Sequence, residues 1–330
     1  MNKSGNSEER GIQIVDYEPW MKDQIVQLFS DEYGTDLADE SAFFDRFYDH
    51  DFQRSRAIRL VAIEGRSVAG FQSVFYWPYR HGAHVYSSYQ SGRSLVSPLH
   101  RGKGIFGRLL DHLDANRERY GCEFLMGFPV DASYGSFLRN GWVNPLDLSW
   151  FVRPLSPLAL VTQPQMLELG REFIDQPRPV GFVDRPGAIE LAEDPDFVSW
   201  RRQFLVKTTY RFFHYEEGDE AVRFDCLPNR RGRVSELIIG GIRRSTDSPD
   251  LLKRAFKALL HEARRSGAFA VASIAVNERC VTDPLLGIVR RCGFMKIRRK
   301  IHFITKNYAR HPIVDDPSKW ILFRSDIDTW

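Results

Sequence analysis

Residues 94–120 read SLVSPLHRGKGIFGRLLDHLDANRERY, and the rest of the chain is organised around them. Leu95 and Val96 close an extended run, Pro98 stops it, and Gly102 and Gly104 flank Lys103 where a helix must begin. Ile105, Phe106, Leu109, Leu110 and Leu113 then recur as one apolar helix face. Glycines at such a place let the backbone turn tightly and approach a ligand without a Cβ in the way. The unsatisfied N–H groups and the dipole of a helix start attract anions, and Arg101 and Lys103 add positive charge there. Strand, basic glycine loop and helix together are placed to attract an anion, with an ordinary basic strand-to-helix turn as the alternative.

Two common phosphate loops do not fit. A Walker loop needs a Lys-Ser/Thr pair after its glycines, which is absent. Gly102, Gly104 and Gly107 spell G-x-G-x-x-G by letter, but no long βαβ unit with a ribose-binding acid about twenty residues on is evident. Upstream, residues 12–19 read as a strand and 20–29 and 39–49 as helices. Residues 57–64 and 68–77 are strands joined by the hairpin turn Gly65-Arg66-Ser67, and 84–97 is one long strand bulged at Gly92. Downstream, Gly121 ends the helix, 123–128 is a buried parallel strand, 131–140 a short helix and 147–152 a strand.

Arg101-Gly102-Lys103-Gly104-Ile105-Phe106 resembles the acyl-CoA pyrophosphate loop, R/Q-x-x-G-x-G/A, of the GNAT N-acetyltransferases, with Phe106 in place of the last small residue. The order β-α-α-β-β-β-α-β-α-β over residues 12–153 is the order of that fold, an α/β fold on a mixed sheet. The resemblance implies that acetyl-CoA lies with its pyrophosphate on residues 102–106 and its pantetheine arm along the strand ending at Leu95 and Val96. A backbone amide near those two residues would donate to the thioester oxygen and stabilise the oxyanion of acyl transfer. In the family a tyrosine four residues before the glycine of a G-F pair protonates the departing thiolate; that position here is Phe137, so Tyr134, one turn earlier, is the candidate general acid. The base stays open among Tyr89, Ser91, His84 and Glu32, with direct attack by a neutral amine as the remaining option.

The second half repeats the first in degraded form. At an offset of 146, the apolar face of the crossover helix matches Leu251, Leu252, Ala255, Phe256 and Leu259, and 268–276 matches the buried strand. The same offset sets Asp247, Ser248, Pro249 and Asp250 against Arg101, Gly102, Lys103 and Gly104. Two carboxylates there would repel a pyrophosphate. The chain is thus expected to hold a disordered tail at 1–11, an acetyl-CoA-binding domain at 12–153 and a second, degenerate GNAT-like domain at 154–330, with a helix at 163–176. An unrelated α/β domain at 154–330 is the alternative.

Composition narrows the partners. The net charge of +3 over 330 residues does not argue for nucleic acid, and no run approaches the ~20 apolar residues of a membrane span. The polar N-terminus is not a secretory signal, so a cytoplasmic location is expected. Cys122, Cys226, Cys280 and Cys292 lie far apart and suggest neither a zinc site nor a disulfide framework, so no metal is expected. The phrase FPVDASYGSFLRNGW at 128–142, the run 196–201 and the tail 320–330 resemble a GNAT subgroup associated with bacterial surface-sugar or antibiotic-type metabolism. That resemblance implies a small-molecule amine, such as an amino sugar, as acceptor. In the tail, Asp326 and Asp328 alternate with Ile327 at strand spacing, which would aim both carboxylates at the substrate ammonium. Two other readings are a non-catalytic acyl-CoA sensor and an aminoacyl-tRNA-dependent transferase of the tandem-GNAT kind.

Overall fold

The structure, a computed structural model, describes residues 11–162, 167, 169–181, 183, 185, 187–204 and 209–329. The strands are β1 (Gln13–Asp16), β2 (Ile58–Glu64), β3 (Ser67–Tyr76), β4 (Tyr79–His81), β5 (His84–Val85), β6 (Ser88–Val96), β7 (Phe124–Gly127), β8 (Val143–Pro154), β9 (Phe173–Ile174), β10 (Ile189–Leu191), β11 (Arg211–Glu217), β12 (Glu220–Arg231), β13 (Val234–Arg244), β14 (Val271–Asn277) and β15 (Met295–Asn307). The helices are α1 (Lys22–Tyr33), α2 (Leu37–Tyr48), α3 (Asp51–Arg54), α4 (Ile105–Ala115), α5 (Asp131–Arg139), α6 (Leu158–Thr162), α7 (Pro195–Phe204), α8 (Pro249–Arg265), α9 (Leu285–Arg291) and α10 (Pro312–Asp315).

Local chemistry sets the helix ends of the first half. Asp36 caps α2 by accepting from the N–H groups of Ala38 and Asp39, and Gly34 closes α1 in the left-handed region at φ 63°. The β2–β3 hairpin turns at Gly65, also left-handed. Leu109, Leu110 and Leu113 bury the inner face of α4 against Leu60, Ala62 and Ala69 of the β2–β3 hairpin.

Among the described residues one sheet of twelve strands runs through both halves in the order β1-β2-β3-β6-β7-β15-β8-β14-β13-β12-β11-β9. Its two flanks repeat one arrangement. Strand β6 pairs in parallel with β7 across the α4 crossover, and β13 pairs in parallel with β14 across α8. The 146-residue offset carries Ser88, the start of β6, onto Val234, the start of β13. At the centre the halves exchange strands: β15, from the end of the chain, lies against β7, while β8 lies against β14. The seam is sealed by β8 and β15 pairing with each other.

The core crosses the same seam. Trp200 of α7 is fully buried against Phe47, Phe52, Phe75 and Trp77 of the first half, and its indole N–H donates to the Phe47 carbonyl at 2.8 Å. Burying an indole with its polar atom satisfied retains the full apolar gain.

Several expectations are corrected. Residues 84–97 are not one strand. Gly82, at φ 58°, turns β4 back on β5 in a small second sheet with β10, and Tyr86 then leaves for the core before β6 begins. Helix α4 stops at Ala115, with turns up to a left-handed Gly121. The proline-bearing connection contains α6, and the strand expected at 147–152 starts at Val143. Of the helix expected at 163–176, residues 163–166 and 168 lie outside the described residues, and Phe173–Ile174 is a strand on β11. The tail expected at 1–11 lies, but for Gly11, outside the described residues as well. All four cysteines are free thiols, three of them buried.

Candidate functional site

Strands β6 and β7 are paired only from Ser88–Phe124 to Ser91–Gly127. Beyond that point β7 ends, while β6 runs on to Val96 along β3, so from Gly92 onward one edge of β6 has no strand partner among the described residues. The parting strands form a wedge. A register shift against β3 falls at the wedge, where Gly92 pairs with Ser73 and Leu95 with Phe71. The extra residue is Arg93, held at φ 53°. Left-handed backbone at a residue with a Cβ costs on the order of 1 kcal/mol. Arg93 is fastened by an ion pair to buried Glu40 of α2 and by stacking over Phe29 and Phe43 at 4.3 and 4.4 Å.

At the mouth of the wedge stands the start of α4. Gly102 and Gly104 lie at φ 80° and 71°, and Gly104 is the helix cap with no side chain capping the first turn. The N–H groups of Ile105, Phe106 and Gly107 precede the first intrahelical bond, from Arg108 to the Gly104 carbonyl, and so are donors for an outside anion. Lys103 is exposed there and has no ion pair among the described residues. Arg101 points elsewhere: it donates to Glu32 of α1 at 2.6 Å and to the Val96 carbonyl at 3.2 Å, bracing the loop. Leu95 is buried, Val96 half-buried, and Phe106 packs edge-on against Phe137 at 5.2 Å.

The second half lacks this opening. Ser248 accepts from the Leu251 N–H at 3.2 Å and so caps α8, and Pro249 offers no N–H. Asp247 is held by Arg185 at 2.6 Å and faces Arg244 at 3.8 Å.

Tyr134 of α5 lies flat on the imidazole of His302, with ring centroids 4.1 Å apart. His302 comes from β15, the exchanged strand. Its Nδ1 is 2.8 Å from Asp147 and its Nε2 3.3 Å from Asp131. Burial raises the Asp147 carboxyl, but hydrogen bonds from Lys300, His302 and Asn144 outweigh it and hold the group below its ordinary value. An anionic Asp147 orients the ring. Phe137 is buried between Phe106 and Trp142, so the family's tyrosine position carries a packed ring without a hydroxyl. The sequence reading missed His302 and Asp147, since 155 residues separate them and no spacing links them.

The tail supplies the opposite face. Gln90 donates to Asp328 Oδ1 at 2.9 Å, and a Cβ placed on Gly92 would stand 2.9 Å from Asp328 Oδ2. Burial raises the Asp328 carboxyl, with Arg324 and Arg93 pulling it back. Asp326 diverges. It is fully buried, accepts from the Phe323 N–H at 2.8 Å and faces Arg243 of β13 at 3.5 Å. The strand expected at the tail is instead a turn of 3-10 helix at 324–326, so the two carboxylates serve different halves. The other base candidates are distributed as follows. Ser91 sits at the wedge apex and accepts from Gln72 at 3.0 Å. Tyr89 is buried against Tyr76, Glu32 is taken by Arg101, and His84 is exposed on the small sheet beside Glu123.

No family model and no curated protein matches the chain. Solved structures do. A GCN5-related N-acetyltransferase from Anabaena variabilis superposes with a TM-score of 0.61 at 13% identity, covering 90% of this chain and 73% of that one. The chain has the GNAT acyltransferase fold. A probable N-acyltransferase of Enterococcus faecalis gives 0.57 at 10% identity over 91% and 73% of the two chains, and a putative acetyltransferase of Pyrococcus horikoshii gives 0.50 at 14% over 98% and 99%. The likeness to GNAT proteins is one of fold, so the chemistry must be argued from the wedge, the open α4 start and the tail. Among the described residues no group of three or more His, Cys, Asp or Glu could hold a metal ion, and no helix is long and apolar enough to cross a membrane.

Proposed function

We propose that the chain is an N-acyltransferase that moves an acetyl group from acetyl-CoA to the primary amine of a small molecule such as an amino sugar. The observation that carries this reading is the pairing of a strand wedge with an uncapped, glycine-led helix start at its mouth. In this reading residues 12–153 bind the donor, and 154–330 form a second domain without a donor site.

The donor's pyrophosphate takes the N–H groups of Ile105, Phe106 and Gly107 beside the glycines of 102–104, and Lys103 adds charge. The pantetheine amides pair with the open edge of β6 beyond Ser91, as another strand would. A backbone N–H near Leu95 or Val96 faces the thioester oxygen. The acceptor arrives on the α2 side, where Asp328 receives its ammonium group and takes a proton. The neutral amine attacks the thioester carbon, the C–S bond breaks, the thiolate takes a proton from Tyr134, and the proton shed by the newly acylated nitrogen passes to the Tyr134 phenolate and restores it. His302 holds the Tyr134 ring in place. Asp326 has no part in the step, because it is enclosed on the other side of the tail.

The test is release of CoA thiol by the full chain with acetyl-CoA and a panel of amino sugars and other primary amines. Turnover with at least one amine, lowered at least tenfold in kcat/KM by Asp328→Asn, is expected. Acetyl-CoA binding without turnover on any amine would leave a sensor in place of an enzyme.

A further inference from the structure

Among the described residues a cavity of about 460 Å³ lies in the second half. It is bounded by the end of β13, the start of α7 and the corner from β14 into α9. By the 146-residue offset this is the counterpart of the donor wedge, because Ile242, which lines it, corresponds to Val96. Its chemistry differs. Six arginines line it: Arg80, Arg185, Arg202, Arg223, Arg243 and Arg244.

Carboxylates fix most of these guanidinium groups in place. Glu190 takes Arg80 at 3.3 Å and Arg185 at 2.7 Å; Glu193 takes Arg223 at 2.8 Å and Arg243 at 2.9 Å; Asp283 takes Arg244. Of the other two acids on the wall, Asp194 accepts from the Phe197 N–H at 2.7 Å and Asp326 from the Phe323 N–H. Each of the five wall acids is thus engaged, and from beside the wall Asp225 pairs with Arg223 at 2.7 Å and Asp247 with Arg185 at 2.6 Å. Arg202 has no ion pair among the described residues, and buried donors on Arg185, Arg243 and Arg244 lack an acceptor. Burying so many charged groups round an open space is costly unless an anion completes them. Leu191, Val198, Ile242, Leu285 and Phe323 line the rest, which suits the carbon skeleton of an organic molecule better than a bare ion.

We propose that this cavity binds a small organic anion through a carboxylate or phosphate-ester group. The ligand is not a second acyl-CoA, since α8 is capped by its own Ser248 and flanked by Asp247 and Asp250. The site is independent of the donor site, and the two are joined through the tail: Phe323 and Asp326 line the cavity, and Asp328 sits over Gly92.

The experiment is calorimetric titration of the full chain with citrate, glucose 6-phosphate and inorganic phosphate at constant ionic strength. It uses the wild type, Arg202→Glu, Arg244→Lys and Gly104→Asp. Arg202 is exposed and has no ion pair among the described residues, so its replacement leaves the fold intact, as circular dichroism will verify. Saturable binding of citrate or glucose 6-phosphate is expected, one per chain, at least tenfold weaker in Arg202→Glu and Arg244→Lys and unchanged in Gly104→Asp or by added acetyl-CoA. Absence of saturable binding by all three probes overturns the proposal. So does binding that survives Arg202→Glu and Arg244→Lys unchanged, or that fails in Gly104→Asp, which would put the anion on the α4 loop. None of these readouts depends on turnover, so the proposed transferase activity stands or falls separately.

Discussion

Gly92→Ala is the smallest change that tests how the tail is seated. The residue lies inside β6, where its φ does not demand glycine; what demands it is space. An added Cβ would stand 2.9 Å from Asp328 Oδ2 and 2.9 Å from Phe75 Cε1. Phe75 is fully buried against Phe47, Trp77 and Trp200, so it has nowhere to go. Asp328 must therefore yield, breaking the Gln90–Asp328 bond. Overpacking of this kind and loss of one charged hydrogen bond together cost about 3 kcal/mol. With an unfolding entropy near 0.7 kcal/mol/K for a chain of this length, Tm should fall by about 4 °C. A larger effect is expected on function: kcat/KM for the amine should drop at least tenfold, while acetyl-CoA affinity is retained. In Gly92→Ala/Asp328→Gly the clash with the carboxylate is gone, so the added Cβ should cost less Tm there than in the wild type. Equal costs in both backgrounds, or a Gly92→Ala protein with full activity, would refute the docked tail.

Three further outcomes are expected. Trp200→Ala should cost about 3–5 kcal/mol in urea unfolding, because the indole fills a fully buried site between the halves; a loss under about 1 kcal/mol would mean that α7 packs more loosely than described. Tyr134→Phe should lower kcat at least tenfold with unchanged acetyl-CoA affinity, and an unchanged kcat would remove Tyr134 from the proton step. Burial pushes the Asp326 carboxyl up to about 6, with Arg243 opposing. A carboxyl whose folded pKa exceeds its unfolded value of about 3.9 binds more protons folded than unfolded, so wild-type stability falls as pH rises from about 4 to about 6. Relative to Asp326→Asn the wild type should lose at most about 3 kcal/mol over that window, and parallel pH curves would contradict the burial argument.

Much of this architecture was legible in the sequence because it rests on local chemistry. The glycine loop, the apolar stripe of α4, the β2–β3 turn and the bulge near Gly92 each have a short-range cause, and the structure has all four. The offset of 146 was legible for the same reason, since the stripe of α8 repeats that of α4. Strand exchange was not. Nothing in β8 or β15 distinguishes β7 from β14 as its neighbour, because register and partner are decided by packing across the whole sheet. The stack of Tyr134 on His302 depends on that exchange and was hidden with it. Tail spacing misled because alternation predicts a strand only where a ladder is available, and at Arg324–Asp326 the chain turns instead.

The central claim is that an acyl-CoA pyrophosphate sits on the start of α4, and a thermal-shift titration with acetyl-CoA on the wild type and Gly104→Asp tests it most directly. Gly104 is left-handed with open space around it, so an aspartate there strains the loop and puts a carboxylate among the donor N–H groups without filling a packed site. At about 100 times its dissociation constant the ligand should add about 2.7 kcal/mol of stability to the wild type. The account predicts a clear rise in wild-type Tm and none in Gly104→Asp. An equal rise in both proteins, or none in a folded wild type, would contradict it.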